Sequence, residues 1–474
     1  MNELIKMSAR QVVSLLKKGE VSPVELIDVA AARIEETDGA INALPTLCLE
    51  RARDHARRLM EHSPGNPDSS FLYGLPIAIK DLDDVAGVRT TKGSSIFANN
   101  VPDRSDYVVE VLESNGAVII AKSNTPEFGA GANTFNEVFG ATRNPWDTRL
   151  TAGGSSGGSA AALASGQVWL ATGSDFGGSI RIPASYCSVV GLRPTPGRVA
   201  FGPDSLPFSN LRVEGPMGRT VGDVALMLDA QVGECFGDPR ALPKPSNLFT
   251  LAVDEPVKPR HVAYSPDLGI AHVAKEVKEI CGKAAMSFSE LGVVIEQTCP
   301  DLRDVEEIFQ VLRAVIFAAR WSPLLSRHRN QLKPELVWNI EKGLRLTGEE
   351  IAQAERARGA LYHRTLLFLN KYELLLCPTV VAPPFDVDIR YLTQVDGVPF
   401  DSYISWLIMT FATTLMACPA ISVPCGFTSA GLPVGMQIIG PPRGEAAVLS
   451  TAALFEEMNG FTNYVPIDPR LQPQ

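Results

Sequence analysis

Two clusters of glycine and serine, separated by apolar residues, constrain the fold of this chain more than any other feature. The first covers 151–159 (TAGGSSGGS) and the second covers 173–181 (GSDFGGSIR). The residues at 160–164 and 168–172 between them are almost wholly apolar, whereas a flexible Ser/Gly linker is polar throughout. Because glycine lets the backbone approach a ligand closely, the clusters predict a site lined by main-chain amides beside buried elements.

The composition is that of a globular chain with a large core. Hydrophobic residues make up 45% of the 474 residues and charged residues 20%, a balance that argues against a disordered chain. The net charge is −10, and Lys and Arg form no long basic stripe, so we expect no nucleic-acid partner. The N-terminus has no apolar segment of signal-peptide length, which predicts a cytoplasmic protein.

The longest uncharged run, 406–427, is interpreted as buried core and not as a membrane span. It contains threonine, proline and glycine, which favour a buried helix, a turn and a buried strand. The eight cysteines show no C-x-x-C spacing and no Cys/His ligand pattern. We therefore expect reduced thiols and no metal site.

Local signals predict N-terminal helices followed by alternating strands and helices. Capping boxes at Ser8–Gln11 and Ser22–Glu25 predict two or three helices in roughly the first sixty residues, and a surface loop follows at 62–70. Strands are predicted at 75–79, 117–121, 168–172, 261–264, 293–296, 374–381, 420–423 and 434–439. Helices are predicted at 107–114, from 158, after 220, and at 273–291, 305–319 and 347–370. This alternation predicts an α/β domain with one wide, largely parallel sheet, whose sites lie beyond the carboxyl ends of its strands.

Two familiar catalytic motifs fit the clusters poorly. Gly153-x-Ser155-x-Gly157 formally matches the nucleophile elbow of a Ser-His-Asp hydrolase. A polar turn at 144–151 precedes it where a strand is required, and none of the six histidines lies in a Gly- or Asp-rich loop. A Walker phosphate loop is also disfavoured, because no lysine follows either cluster. The Ser-His-Asp interpretation stays open as the weaker alternative.

Lys80 offers a different base for a serine nucleophile. It follows the almost wholly apolar run 75–79, and a dry pocket penalises the ammonium form of a lysine and lowers its pKa. A neutral lysine can accept the proton of a serine. Asp81, Asp83 and Asp84 oppose such a shift, although strand alternation directs Asp81 away from Lys80. The competing interpretation of Lys80 is a solvated surface charge.

Four ordered blocks closely resemble the amidase signature family. They are 74–81 (GLPIAIKD), 153–158 (GGSSGG), 173–183 (GSDFGGSIRIP) and 190–198 (VGLRPTPGR). Further blocks at 124–129, 215–220 and 431–437 extend the similarity over most of the chain. The resemblance implies a single domain over 1–474, built as an α/β/α sandwich around a wide mixed, largely parallel sheet. The helices of about 1–62 would pack on this core.

The resemblance also implies a Ser-cisSer-Lys triad that cleaves the C–N bond of amides. Ser179 would be the nucleophile, Ser155 the bridging serine on a cis peptide bond, and Lys80 the base. An acyl-enzyme would form on Ser179, and no metal or cofactor would be required.

The residues around the nucleophile have implied roles of their own. The main-chain amides of Phe176, Gly177, Gly178 and Ser179 would form an oxyanion hole. Of the other polar side chains, a structural ion pair is expected between Asp175 and Arg181, and satisfaction of local backbone groups is expected for Ser156 and Ser159.

The substrate pocket is predicted from the segments that should surround the triad. Its substrate-binding residues would be Phe128, Gly129, Gly131 and Phe176. Its wider walls would come from 128–134, 201–211, 309–321 and 406–414. These segments are mainly apolar and aromatic, which favours aryl amides, anilides or aryl carbamates over charged substrates.

Two other functions remain as alternatives. The similar catalytic A-type subunit of a glutamyl-tRNA amidotransferase passes ammonia to a partner and works only within a complex. A non-catalytic scaffold is disfavoured, because all three residue types of the triad are present. We expect a monomer or homodimer that acts on a small-molecule amide or carbamate and binds no membrane.

Overall fold

The computed structural model describes residues 1–62 and 70–470. The surface loop predicted at 62–70 therefore lies, apart from its two ends, outside the described residues. The described strands form one large sheet of eleven strands and three small two-stranded ladders.

The strands are β1 Thr46–Leu47, β2 Pro76–Lys80, β3 Val118–Ser123, β4 Phe135–Asn136, β5 Gly140–Ala141, β6 Arg143–Asn144, β7 Asp147–Thr151, β8 Leu170–Asp175, β9 Val190–Arg193, β10 Val213–Gly218, β11 His261–Tyr264, β12 Val294–Gln297, β13 Leu374–Pro378, β14 Gln394–Val395, β15 Val398–Pro399, β16 Ala420–Phe427 and β17 Pro433–Ile439.

The large sheet joins segments from both ends of the chain, as predicted. Its strand order is β1-β3-β2-β8-β10-β9-β16-β17-β13-β11-β12. Parallel pairs occur in two groups, β3-β2-β8 on one side and β13-β11-β12 on the other. The strands between these groups, β10, β9, β16 and β17, reverse direction at every step. The mixed sheet is confirmed, with its parallel pairing concentrated in those two groups.

Helices cover both faces of the sheet. Every residue of β2, β3, β8, β9, β10, β13 and β17 is buried, so neither face of these strands meets solvent. Strands buried on both faces read as continuous apolar runs, and such runs located β2, β3, β8, β13 and β17. β9 and β10 are interrupted by glycine and by a charged residue, and they were not predicted. The layered α/β architecture follows from this burial.

The helices are α1 Glu3–Lys6, α2 Ala9–Lys18, α3 Pro23–Ile41, α4 Leu49–Glu61, α5 Tyr107–Ser114, α6 Gly157–Ala164, α7 Arg181–Cys187, α8 Val221–Gln231, α9 Phe249–Asp254, α10 Lys275–Ser287, α11 Val305–His328, α12 Pro334–Arg345, α13 Gly348–Tyr372, α14 Ile408–Leu415 and α15 Glu445–Asn459.

The two predicted capping boxes are present, and two later helices are also capped by threonine. The side chains of Ser8, Ser22 and Thr347 each accept a hydrogen bond from the backbone amide three residues later, and a capping box closes each pair. Thr220 caps α8 in the same way without the reciprocal bond. Such caps satisfy amides that have no partner within the helix.

The N-terminal helices pack against the connection between α6 and β8. The buried Arg33 of α3 donates from Nε to the carbonyl of Ser165 at 2.8 Å. Trp169 donates from Nε1 to the carbonyl of Leu4 at 3.0 Å. Leu26 and Ile27 of α3 are fully buried in the core. Residues of α1 and α3 thus contact the segment that joins α6 to β8, and α3 contributes to the hydrophobic core.

Two apolar segments of membrane-like length are part of this packing. The uncharged run 406–427 forms a short turn, α14 and β16, which confirms its prediction as helix, turn and strand. The segment Val305–Gln331 is long and apolar enough to cross a membrane by length and composition. Its Phe309 stacks on Phe411 of α14, with ring centroids 4.3 Å apart. Packing inside the protein buries apolar residues in the N-terminal half of this segment, among them Phe309, Leu312 and Phe317.

Candidate active site

Lys80 and the two glycine clusters meet at one edge of the sheet. β2 ends at Lys80, and its parallel neighbour β8 ends at Asp175, with Ala78 opposite Ala171. The carboxyl ends of parallel strands share an edge. The first cluster reaches the same edge because α6, which begins at Gly157, packs on both strands.

Three serine hydroxyls enclose the amine of Lys80, which is fully buried. Its Nζ lies 2.8 Å from Ser155 Oγ, 2.8 Å from Ser156 Oγ and 3.0 Å from Ser174 Oγ. An ammonium group would donate to all three. A neutral amine has only two N–H bonds, so when Ser156 and Ser174 accept them the lone pair faces Ser155. The geometry therefore suits Lys80 as a base toward Ser155.

Burial lowers the pKa of Lys80 to about 7, while the nearby carboxyl of Glu214 acts in the opposite direction. The carboxyl of Asp81 accepts hydrogen bonds from Thr91 and lies 3.6 Å from Lys122 Nζ. Asp81 is thus directed away from Lys80, as strand alternation predicts. The alternative interpretation of Lys80 as a solvated surface charge is therefore wrong.

Ser155 and Ser179 line the same pocket. The Gly154–Ser155 peptide bond is cis, as the resemblance implies. The backbone amide of Ser156 donates to the carbonyl of Ser179 at 3.1 Å, which ties the two clusters together. Among the described residues, no hydrogen bond joins Ser179 Oγ to Ser155 Oγ. The structure therefore links Lys80 directly to Ser155 and places Ser179 beside them in the pocket.

The loop before Ser179 is shaped by close contacts. Gly178 has a φ of +113°, and a Cβ there would collide with the side chain of Thr410, so only glycine fits. Thr410 Oγ1 donates to the carbonyl of Gly177 at 2.6 Å. The Gly178 amide donates to Asp175 Oδ1 at 3.0 Å. This corrects the predicted oxyanion set: the Gly178 amide is committed to Asp175, which leaves Phe176, Gly177 and Ser179 as candidate donors.

Asp175 forms the predicted ion pair and a second pair that was not predicted. Its fully buried carboxylate lies 2.9 Å from Arg181 Nη2 and 3.1 Å from Arg193 Nη1. Burial alone would raise the pKa of Asp175, but the two guanidinium groups hold it well below its ordinary value. Asp175 also accepts from the backbone amide of Ile180 at 3.3 Å. The carboxylate thus fixes the loop that carries Ser179.

Asp175→Asn is expected to destabilise the protein strongly, because it leaves two buried guanidinium groups without their counter-charge. We expect a loss of about 3–5 kcal/mol in the free energy of unfolding, measured by urea denaturation. Asp254→Asn is the matched control, since Asp254 pairs with Arg10 in an exposed salt bridge and should cost no more than about 1 kcal/mol. Equal losses in the two variants would show that Asp175 does not fix the loop.

The pocket above Ser179 contains all four predicted substrate-binding residues, Phe128, Gly129, Gly131 and Phe176. Helix α11 forms the opposite wall with Phe309, Phe317 and Trp321. The rings of Phe128 and Trp321 lie 4.3 Å apart, and those of Phe176 and Phe309 lie 5.7 Å apart. These contacts create an aromatic chamber beside the candidate nucleophile.

The loop predicted at 201–211 does not line the pocket. The ring of Phe201 is instead covered by the guanidinium groups of Arg212, Arg240 and Arg320, which lie 4.9 to 5.8 Å from its centroid. Cation–π contacts with these three arginines thus hold the Phe201 ring outside the pocket lining. Arg212 and Arg320 reach the pocket in its place.

Sequence reasoning missed the contacts of two serines with Lys80 and did not single out Arg313 within the predicted wall 309–321. Ser156 was expected to satisfy local backbone groups, but its hydroxyl accepts from Lys80. Ser174 was not singled out, although it lies in the second cluster. Arg313 of α11 lines the pocket and lies over the Phe317 ring at 4.1 Å. Its spacing of four residues from Phe309 and Phe317 was the available signal, since such residues share one helix face.

Comparison with known proteins identifies the class of enzyme that carries this sheet edge and its two glycine clusters. The family model for amidases matches residues 25–449 of the chain, so the chain belongs to that family. The expected family, fold and enzyme class are therefore confirmed.

Known relatives resemble the chain over nearly its whole length. It is 34% identical over 465 residues to an acylamidase of Rhodococcus erythropolis, covering 98% of this chain and 97% of the relative. It is also 34% identical over 490 residues to the A-type subunit of a glutamyl-tRNA(Gln) amidotransferase from Thermodesulfovibrio yellowstonii, covering 98% and 100%. The solved structure of a bacterial aryl acylamidase superposes with a TM-score of 0.89 at 29% identity, covering 97% of this chain and 98% of that one.

Proposed function

We propose that Ser179 is the nucleophile of this amidase, that Lys80 is its base, and that Ser155 carries the proton between them. The observation that carries the proposal is the 2.8 Å contact from Lys80 Nζ to Ser155 Oγ at the wall of a pocket that Ser179 shares. A hydroxyl both donates and accepts, so Ser155 can pass a proton from Ser179 to Lys80.

The reaction is an acyl transfer in two halves. Ser179 Oγ attacks the amide carbonyl while its proton moves through Ser155 to Lys80. The C–N bond then breaks as the departing amine takes up the proton that Lys80 returns through Ser155. Water cleaves the resulting ester on Ser179 by the reverse proton path. The amides of Phe176, Gly177 and Ser179 stabilise the negative carbonyl oxygen in both halves.

The aromatic chamber supports an aryl or other bulky apolar group as the preferred substrate portion. Phe128, Phe176, Phe317 and Trp321 present ring faces and edges to the pocket. Aromatic pairs are stabilised beyond simple area burial, so anilides and aryl amides lead, with aryl carbamates (urethanes) next. The names of two relatives, an acylamidase and an aryl acylamidase, support this choice.

Hydrolysis of an acyl 4-nitroanilide by the purified chain tests the substrate class. We expect nitroaniline release, and Trp321→Ala should raise KM roughly tenfold, because the ring that contacts Phe128 is lost. Trp338→Ala is the matched control, since Trp338 is 39% exposed and lies outside the pocket lining. A preference for small aliphatic or charged amides would overturn the aryl assignment.

The amidotransferase component is the second candidate, favoured by the equally high identity to the amidotransferase relative. Such a protein would release ammonia from glutamine only within its complex. Turnover of an anilide by the single chain, without glutamine, ATP or tRNA, would favour the stand-alone amidase. Glutamine hydrolysis that appears only with partner proteins would favour the alternative. The cytoplasmic location and the monomeric or homodimeric state stay predictions.

A further inference from the structure

Glu214 is a buried carboxyl group near Lys80 that the proposed reaction does not use. It is 1% exposed. One oxygen, Oε1, accepts from Arg212 Nη2 at 2.7 Å. The other, Oε2, is buried and has no hydrogen-bond partner among the described residues. An unpartnered buried carboxylate oxygen is costly, whereas a protonated carboxyl carries no charge to desolvate.

The sheet brings Glu214 to the same face as Lys80. β10 runs antiparallel to β8, and Glu214 stands directly opposite Ser174. Side chains of directly opposed residues project from the same face, with Cβ atoms about 4.5–5.5 Å apart. Ser174 Oγ accepts from Lys80 Nζ at 3.0 Å. Glu214, Ser174 and Lys80 therefore converge where β2 ends.

Lys80, Arg212, Asp83 and Glu214 lie together, and their net charge is −1 when Lys80 is neutral and the other three side chains are ionised. Arg212 Nη2 also lies 3.3 Å from Asp83 Oδ1, so one guanidinium serves two carboxyl groups. Asp83 Oδ2 likewise has no hydrogen-bond partner within the described ranges. With every group ionised, the charges of Lys80, Arg212, Asp83 and Glu214 cancel. If Lys80 is neutral, they cancel only when one carboxyl group holds a proton.

Most other nearby charges are already paired. Asp106, which accepts from the backbone amide of Asp84, forms no salt bridge among the described residues, and burial raises its pKa to about 7. Asp175 is bound by Arg181 and Arg193, and Arg320 of α11 pairs with Asp204 at 2.9 Å. Lys122 of β3 lies 3.6 Å from Asp81. Lys80, Arg212, Asp83 and Glu214 thus form the group in which a proton can move without disturbing a neighbouring pair.

We propose that Glu214 is the titration partner of Lys80, and that the two side chains share a single proton. When the proton lies on Glu214 Oε2, an O–H bond has formed there, an N–H bond of Lys80 has been lost, and the amine is free to act as a base. No proton enters or leaves the group, and its net charge is unchanged. Glu214 is a positioning residue, because it acts through Lys80 and touches no reacting atom.

Burial acts on both partners in the direction the proposal requires. It raises the pKa of Glu214 above its ordinary value and lowers the pKa of Lys80 to about 7, since it disfavours the charged form of each. Two groups that interact strongly lose their protons in two separate steps that belong to the pair. The proposal rests on the proposed role of Lys80 as the base.

The rate at which a fluorophosphonate labels Ser179 tests the proposal, because it needs no knowledge of the amide substrate. Labelling requires neutral Lys80, so its rate should increase with pH. In the wild-type protein the labelling rate should rise in two steps. The first step occurs when Lys80 and Glu214 lose one of their two protons and share the other, and the second occurs when they lose that shared proton. In Glu214→Gln the labelling rate should rise in one step, at the lower pH, because the carboxylate that most favours the ammonium form of Lys80 is gone and Asp83 keeps Arg212 to itself. Between the two wild-type steps the variant should label about twofold faster or more.

The controls separate a shared proton from a structural role. Glu445→Gln changes another fully buried glutamate that pairs with an arginine, Arg198, and should keep both steps. Glu214→Asp retains a carboxyl group and should restore two steps. A single step in the wild-type protein, or two steps in Glu214→Gln, would overturn the proposal. So would a uniform loss of rate in Glu214→Gln without a change in the pH profile. Absence of any Ser179 labelling in the wild-type protein would instead refute the proposed nucleophile.

Discussion

Ser179→Ala is expected to abolish amide hydrolysis while leaving the protein folded. Without Ser179 Oγ no acyl-enzyme can form, and loss of a serine nucleophile reduces turnover by at least about 10⁴-fold in comparable enzymes. No hydrogen bond of Ser179 Oγ is present in the described structure, so the free energy of unfolding should change by less than about 1 kcal/mol. Turnover of a 4-nitroanilide and urea denaturation provide the two measurements.

Mass spectrometry after fluorophosphonate treatment identifies the nucleophile directly. The wild-type protein should carry one adduct, located on the peptide that contains Ser179, and Ser179→Ala should carry none. Ser159→Ala is the matched control from the glycine clusters, because its hydroxyl donates to the carbonyl of Thr172 at 2.8 Å and lies outside the pocket lining. It should keep the adduct. An adduct on Ser155 in the wild-type protein would contradict the proposal and would identify Ser155, not Ser179, as the nucleophile.

Lys80→Met is expected to reduce turnover by about 10²–10⁴-fold, the usual contribution of a general base. Methionine fills a similar volume but cannot accept a proton from Ser155. KM should change little, because Lys80 lies beneath the pocket and contacts three serines. The pH dependence should also flatten on its acidic side, since the group whose pKa burial lowers to about 7 is gone. Stopped assays over a range of pH values provide the measurement.

Lys122→Met is the control for loss of a buried ammonium group. Lys122 is fully buried on the neighbouring strand β3 and pairs with Asp81 at 3.6 Å. Its replacement should lower stability, yet the folded variant should keep its labelling rate at Ser179 and its pH profile. If Lys122→Met and Lys80→Met lost activity equally, the effect of Lys80 would be structural and the base would have to be sought elsewhere.

Features that depend on neighbouring residues in the sequence were predictable. The capping boxes at Ser8 and Ser22 form as expected, because cap and amide are three residues apart. Several buried strands, including the one that ends at Lys80, were located by their short apolar runs, whereas the buried β9 and β10, which lack such runs, were not. The similarity blocks then indicated which serines accompany that lysine. Local pattern and family resemblance together were sufficient for the fold and for the candidate triad.

Features that depend on packing between distant segments were not predictable. The commitment of the Gly178 amide to Asp175 depends on how the loop turns, and no residue pattern specifies that turn. The loop 201–211 was predicted to line the pocket, but the guanidinium of Arg320, far along the chain, covers the ring of Phe201. The opposition of Glu214 to Ser174 is set by strand register, which cannot be read from either strand alone.

The pocket is built by two structurally separate parts of the molecule. Lys80, Ser155 and Ser174 belong to the edge of the central sheet, where every strand residue nearby is buried. Phe309, Phe317 and other side chains of α11 face them from a helix that packs mainly on α12, α13 and α14. Exchanging side chains along that helix would alter which molecules enter without disturbing the proton path. Divergence of substrate preference among descendants of such a chain could therefore proceed through one helix while the reactive groups stay unchanged.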